Sequence, residues 1–153
     1  MSDVDVITAI EIARPREHVA AYVADPDNAP RWYVNIKSAE PRTAPPLHTG
    51  SRIAFVASFM GRRLEYVYEI TELVPNERMV MRTTDGPFAM ETTYTWADAG
   101  AGRTRMALRN RGRPSGFAAV LRPVLQSSMR RANRKDLARL RSILEREAPA
   151  TTP

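Results

Sequence analysis

Between Ser51 and Arg111 the sequence alternates between apolar and polar residues in five consecutive segments. They read SRIAFVASF, LEYVYEITEL, RMVMRT, FAMETTYTW and RTRMALRNR, and short stretches such as MGR, VPNE, DGP and DAGAG separate them. A period of two residues is typical of strands with one buried face, and short turn-rich connections predict antiparallel hairpins. The resulting sheet has one large apolar face, so another part of the chain must cover that face.

The C-terminal part of the chain has the helical period that such a cover requires. Only Pro123 interrupts the pattern, which predicts a short helix over 115–121 and a long helix over 123–147. The apolar stripe of these helices contains Leu121, Leu125, Met129, Ala132, Leu137, Leu140, Ile143 and Leu144. Gln126, Asn133 and Asp136 are polar residues that fall within this stripe.

The N-terminal part predicts one strand and two short helices before the meander. VDVITAIEI, residues 4–12, alternates like a strand, and Pro15 is well placed to open a helix that Pro26 ends. A second short helix over 28–33 and a strand within YVNIKSAEPR complete the order. The expected sheet therefore has about seven strands.

The length and composition narrow the class of protein. A chain of 153 residues suits one domain, predicted at 1–148, with a disordered tail at 149–153. There are no cysteines and only two scattered histidines, so we expect neither disulfides nor a metal site, and no motif indicates a cofactor. No signal peptide or membrane-spanning run is evident, which predicts a cytoplasmic protein.

The positive charge is concentrated near the C-terminus. The formal net charge is +6, and residues 122–147 hold eight basic against three acidic side chains, a surplus of 8 − 3 = +5. This segment is either the solvated face of a helix or a contact surface for RNA or an anionic membrane. Residues 118–147 contain no Phe, Tyr or Trp, so base stacking and hence nucleic-acid binding are not expected there.

The order of elements resembles that of a known superfamily. The stretches IARPREHV, AYVADPDNAPRW, YEITELVPNERMVMRT and RRANRKDLARLRSILE are similar to the START-like superfamily, also called SRPBCC, polyketide cyclase/dehydrase-like or birch-pollen-allergen-like. The resemblance extends over residues 3–147 and implies an α+β helix-grip fold. In that fold a curved antiparallel sheet surrounds a long C-terminal helix, and two short helices after the first strand close one end of the groove.

The space between sheet and helix is the expected ligand site. The strand faces and the helix stripe point several large side chains into it, and the resemblance adds Trp32 as a core or wall residue at the cavity end. The expected lining comprises Trp32, Phe55, Phe59, Tyr66, Tyr68, Met81, Met90, Tyr94, Trp96, Asn110, Met129, Asn133 and Asp136. Asp136 is either half of a structural ion pair, with a strand arginine or Arg139, or a polar cavity group that fixes a ligand or acts as acid or base.

Three functions follow from this interpretation. The first is binding of a small hydrophobic molecule such as a lipid, isoprenoid, quinone or polyketide-like aromatic. The second is an enzyme of the aromatase/cyclase or dehydratase kind in the same cavity, with Asp136 as the candidate catalytic residue. The third is an interaction module that uses the arginine-rich helix. The sequence leaves the oligomeric state, monomer or homodimer, open.

Overall fold

The computed structural model describes residues 4–59, 61–86, 89–114 and 117–146, although not the side chains of 59, 117 and 118. The predicted tail at 149–153 lies outside the described residues. No helix in the described ranges is long and apolar enough to cross a membrane.

Seven strands and four α-helices form the described structure. The strands are β1 (Val4–Ile12), β2 (Ile36–Pro41), β3 (Arg52–Phe59), β4 (Arg62–Val74), β5 (Arg78–Asp85), β6 (Ala89–Asp98) and β7 (Thr104–Arg113). The helices are α1 (Arg16–Ala24), α2 (Ala29–Trp32), α3 (Phe117–Val120) and α4 (Arg122–Arg146), with a 3₁₀ turn at Pro26–Asn28 before α2. The predicted helix-grip fold is confirmed. The second helix is shorter than predicted, and β2 begins at Ile36 because residues 33–35 form the connection between them.

The order of the strands explains why two helices follow the first strand. The antiparallel sheet runs β1-β7-β6-β5-β4-β3-β2, so β1 and β2 lie at opposite edges. The chain between them must therefore travel from one edge of the curled sheet to the other. The helices α1 and α2 lie in this connection, and their side chains therefore pack against the end of the groove.

The apolar face of the sheet is the face that α4 covers. On β7, for example, Thr104, Met106, Leu108 and Asn110 are all buried, as the alternation predicts. The buried residues of α4 are Leu125, Met129, Asn133, Asp136, Leu137, Leu140 and Leu144. Pro123 lies in the first turn of α4, where a missing N–H costs nothing.

The outer face of the sheet carries paired charges. Arg52 bonds Glu69 at 3.1 Å across β3 and β4, and Arg82 bonds Glu91 at 2.6 Å across β5 and β6. Asp5 accepts two hydrogen bonds from the guanidinium of Arg109, at 2.7 and 3.0 Å. Cross-strand pairs of opposite charge suit neighbouring strands, so these three arginines are each paired with an acidic side chain.

Candidate ligand-binding cavity

The connection between α1 and β2 brings two consecutive aromatic side chains to the end of the groove. The carboxylate of Asp25 accepts the N–H of Asp27 at 3.0 Å, and Pro26 follows as the first residue of the 3₁₀ turn. Trp32 ends α2, and Tyr33 has extended dihedral angles. This change from helix to extended chain turns both rings inward, and they stack with their centroids 3.9 Å apart.

Asp136 of α4 holds this connection in place. This residue is only 3% exposed, and its carboxylate accepts the backbone N–H of Val34 at 2.9 Å. Burial raises the pKa of Asp136 to about 6, against the smaller lowering effects of the Val34 hydrogen bond and the charge of Arg139. Among the described residues no basic group lies within 4 Å of the carboxylate, so the structural ion pair, one of the two alternatives that the sequence allows, is not formed.

A cavity of about 120 Å³ lies between the sheet and the connection. Its wall is mostly apolar or aromatic and consists of Tyr33, Ile36, Phe55, Ala57, Tyr66, Tyr68, Met81, Thr92 and Asn110. A second cavity of about 20 Å³ adjoins α1 and α2, and Trp32, Met79 and Tyr94 belong to its wall. Tyr33, Phe55 and Met81 line both cavities, so these three side chains divide the space in two.

The larger cavity contains one polar region. The hydroxyl of Thr92 donates to the side-chain oxygen of Asn110 at 2.7 Å, and both residues are buried. Burial raises the pKa of the Tyr68 hydroxyl well above its ordinary value, against an opposing effect of its hydrogen bond with Thr92. Burial also raises the pKa of Tyr66, to about 12. These tyrosines are therefore neutral at physiological pH and retain their O–H groups as donors.

A second polar contact joins the two cavities. The hydroxyl groups of Tyr33 and Tyr94 form a short hydrogen bond. Burial raises the pKa of both tyrosines, and the negative charge of Asp136 adds to the effect on each. Asp136 therefore acts electrostatically on this pair, although it does not line either cavity.

Aromatic contacts fix the positions of the walls. Phe55 meets Tyr68 edge to face with centroids 5.5 Å apart, and Tyr66 lies 5.9 Å from Tyr68. Tyr94 stacks on Trp96 at 6.1 Å. Rings held in this way are pre-organised, which lowers the ordering cost of binding a flat ligand.

The structure brings together about half of the residues predicted to line the site. Seven of them line one or both cavities, namely Trp32, Phe55, Tyr66, Tyr68, Met81, Tyr94 and Asn110. Five others, Met90, Trp96, Met129, Asn133 and Asp136, lie outside these two linings. Met90 and Met129 belong to a separate apolar cluster with Val4, Val6 and Leu125, because α4 lies directly on β1 at that point. The side chain of Phe59 lies outside the described part of the structure.

The sequence interpretation missed Tyr33, Ile36, Ala57 and Thr92 as site residues. Thr92 and Ala57 lie on inward strand positions, so the alternation alone could have included them. Tyr33 carries no such signal, because two adjacent residues face the same side only where the backbone changes conformation. The described residues contain no cluster of His, Cys, Asp or Glu that could hold a metal ion.

Comparison with known proteins shows the family and the fold. The sequence model of the family described as "Polyketide cyclase / dehydrase and lipid transport" matches residues 3–145. A protein from Thermus thermophilus has a similar structure, with a TM-score of 0.83, 21% identity, and coverage of 95% of this chain and 99% of that chain. The aromatase/cyclase Zhui from a Streptomyces species is also similar, with a TM-score of 0.82, 16% identity, and coverage of 97% of this chain and 98% of that chain.

A START superfamily protein from Mycobacterium smegmatis has the same fold, with a TM-score of 0.79, 15% identity, and coverage of 93% of this chain and 97% of that chain. No curated protein matches the sequence. At these identities the structures show a shared fold, and the resemblance to the START-like superfamily is confirmed.

Proposed function

Because the chain belongs to the polyketide cyclase/dehydrase and lipid transport family, we propose that it binds a small, largely apolar molecule that carries a carbonyl or hydroxyl group. The observation that carries this proposal is the cavity of about 120 Å³, whose mostly aromatic and apolar walls hold a few polar groups, among them the hydrogen-bonded pair Thr92 and Asn110. Apolar walls with a few convergent polar groups are typical of small-molecule sites.

The polar groups of the cavity suit an oxygen atom of the ligand. The oxygen of Asn110 already accepts the Thr92 hydroxyl, so its amide N–H groups are the donors that remain. Trp32, in the wall of the smaller cavity, has a buried indole N–H without a hydrogen-bond partner in the described structure. A ligand with acceptor oxygens would satisfy such donors, whereas a pure hydrocarbon would leave them unsatisfied.

The volume of the cavity limits the size of the ligand. Drug-sized ligands occupy pockets of roughly 300–1,000 Å³, so the larger cavity as it stands suits a molecule of one or two rings. The smaller cavity lies directly behind Tyr33, Phe55 and Met81. Tyr33 is the only one of these three that is not on a strand, so its movement is the simplest way to join the two spaces for a longer ligand.

Filling the cavity tests the proposal. We expect Ala57→Phe to weaken binding of small aromatic ketones and naphthoquinones by about tenfold or more, because the added ring occupies space that the ligand needs. Binding is measured by calorimetry with a fixed panel of these compounds. Native mass spectrometry of the purified protein, followed by extraction of any retained molecule, identifies further compounds for the panel.

The matched control is Ala54→Phe, on the same strand. Residues 55 and 57 line the cavity, so the alternation of β3 places residue 54 on the other face of the sheet. This variant should bind the panel like the unmodified protein. Equal loss of binding in both variants would contradict a ligand site at this position.

A cyclase-type reaction is the second candidate function, and the buried group of Tyr33, Tyr94 and Asp136 favours it. Tyr33 lines both cavities and Tyr94 lines the smaller one, whereas Asp136 lines neither and acts on the two tyrosines through its charge. A carbon between two carbonyl groups loses a proton readily to form an enolate. Neutral tyrosine hydroxyls can donate hydrogen bonds to the enolate oxygen that forms. The enol carbon then bonds to a second ketone carbon of the same chain, and one molecule of water leaves as the ring becomes aromatic.

A linear tetraketone with alternating carbonyl groups tests this candidate, because a carbon between its first two carbonyls closes a six-membered ring on the last ketone. The expected product has lost one water, as read by mass spectrometry. We expect Tyr33→Phe and Tyr94→Phe each to lower the turnover rate by about a hundredfold, the range of general acid–base catalysis, whereas Arg78→Gln on the outer sheet face should not change it. Turnover that is equal in all four proteins would reject catalysis by this group and leave the binding proposal intact.

A further inference from the structure

The exposed side of α4 is rich in positively charged side chains. Its exposed cations are Arg131, Arg134, Lys135, Arg139, Arg141 and Arg146. None of them has a carboxylate within 4 Å in the described part of the chain. The acidic residues that α4 contributes there are Asp136, which is buried, and Glu145, which accepts the backbone N–H of Ala13 at 2.8 Å.

Several cations on the outer face of the sheet, in contrast, form ion pairs. Arg52, Arg78 and Arg82 each lie within 3.1 Å of a glutamate on the outer sheet face. The exposed cations of α4 therefore lack the glutamate partners that these three sheet arginines have. An amphipathic helix needs a polar outer face, but that requirement is met by a mixture of both signs.

Two exposed valines lie near the N-terminal end of the cationic face. Val120 at the end of α3 is 75% exposed, and Val124 in the first turn of α4 is 50% exposed. Residues seven apart lie on the same side of a helix, so Val124 and Arg131 point in the same direction, away from the sheet. The outward surface thus combines an apolar end with a cationic remainder.

We propose that this outward face of α4 docks the protein on an anionic lipid bilayer. Basic residues beside exposed apolar side chains are the features of helices that lie at a membrane surface. RNA, which offers the same phosphate charge, is the weaker match because residues 118–147 contain no aromatic side chain on which a base could stack. Two valines bury little area, so the attachment is mainly electrostatic, reversible and sensitive to salt.

Vesicle flotation tests the docking face. We expect the unmodified protein to float with vesicles of phosphatidylcholine and phosphatidylglycerol at low salt, but not with phosphatidylcholine vesicles or at high salt. The triple variant Arg131→Gln, Arg134→Gln, Lys135→Gln should bind the anionic vesicles about tenfold more weakly or worse, because each cation near the surface contributes to the attraction. Val120→Ser with Val124→Ser should weaken binding in addition.

The matched control removes the same charge elsewhere. The triple variant Arg52→Gln, Arg78→Gln, Arg82→Gln also loses three cations, but from the opposite side of the molecule, and we expect it to bind vesicles within about twofold of the unmodified protein. All the substituted cations are exposed, and circular dichroism confirms that each variant is folded. If the helix triple variant is unfolded, Arg131→Gln alone takes its place, with a correspondingly smaller loss.

Three outcomes would overturn the inference. They are no flotation of the unmodified protein, equal loss of binding in the two triple variants, and binding of a single-stranded RNA in the absence of vesicle binding. Flotation requires no ligand, and the cavity experiment requires no vesicles. The failure of one proposal is therefore distinguishable from the failure of the other.

Discussion

Replacement of Trp32 by alanine is expected to lower the free energy of unfolding by about 4 kcal/mol, in the range measured for large aromatic residues removed from a core. The side chain is 1% exposed, stacks on Tyr33 at 3.9 Å and meets Tyr94 edge to face at 6.3 Å. Its removal leaves a cavity at the end of the groove and takes away the surface on which Tyr33 rests. The indole N–H has no partner in the described structure, so the loss comes from packing alone.

Urea denaturation followed by far-ultraviolet circular dichroism measures this effect without relying on tryptophan fluorescence. Leu140→Ala is the matched control, because Leu140 is equally buried in the same core but does not line either cavity. We expect it to cost roughly 2–5 kcal/mol and to leave the ligand panel bound as before. Trp32→Ala should in addition alter which ligands bind, since it enlarges the smaller cavity. A loss of less than about 1 kcal/mol would mean that the end of the groove collapses freely around the missing ring.

The sequence predicts the strands and helices of this molecule well, because they follow from the spacing of apolar residues along the chain. The alternation along FAMETTYTW and RTRMALRNR identifies the inward positions, and Thr92, Tyr94, Met106, Leu108 and Asn110 are indeed buried. Because one face of the sheet packs against one helix, the alternation within each strand is enough to tell which of its residues are buried. No knowledge of contacts between distant segments is needed for this.

The site itself is less predictable, since it depends on contacts between distant segments. Tyr33 enters the cavity because the backbone leaves the helical conformation one residue after Trp32. Met129 is excluded from it because α4 crosses β1 closely at that end of the groove. The partner of Asp136 is a backbone N–H 102 positions away, and a backbone group leaves no mark in the sequence. Only the folded geometry therefore excludes the ion pair that the sequence allows for Asp136.

Replacement of Asp136 by asparagine is expected to stabilise the protein at pH 7 by roughly 1–2 kcal/mol. The folded-state pKa of about 6 lies above the value of about 3.9 for an unfolded aspartate. A group with a raised folded pKa contributes stability below the unfolded pKa, and this contribution is lost as the pH rises through the folded pKa. The free energy of unfolding of the unmodified protein should thus fall by roughly 2–3 kcal/mol as the pH rises from about 4 to about 6.

Asparagine removes the charge but keeps an oxygen that accepts the N–H of Val34. The free energy of unfolding of the variant should therefore equal that of the unmodified protein near pH 4 and exceed it at pH 7. The separate cost of burying one amide N–H group lowers the value of the variant at both pH values. Denaturant curves at a series of pH values measure the difference. A loss of roughly 3 kcal/mol at pH 7 would instead indicate that the carboxylate balances a buried positive charge.

Asp5→Asn is the control of opposite sign. The hydrogen bonds from Arg109 hold the pKa of Asp5 below its usual range, so Asp5 stabilises the protein above the unfolded pKa and ceases to do so as the pH falls through its folded pKa. This substitution should destabilise the protein at pH 7 and lose its effect in acid, whereas Asp136→Asn acts in the opposite direction. Two carboxylates of one chain would then respond oppositely to pH, because Asp5 faces an arginine and Asp136 faces a backbone amide in an apolar wall.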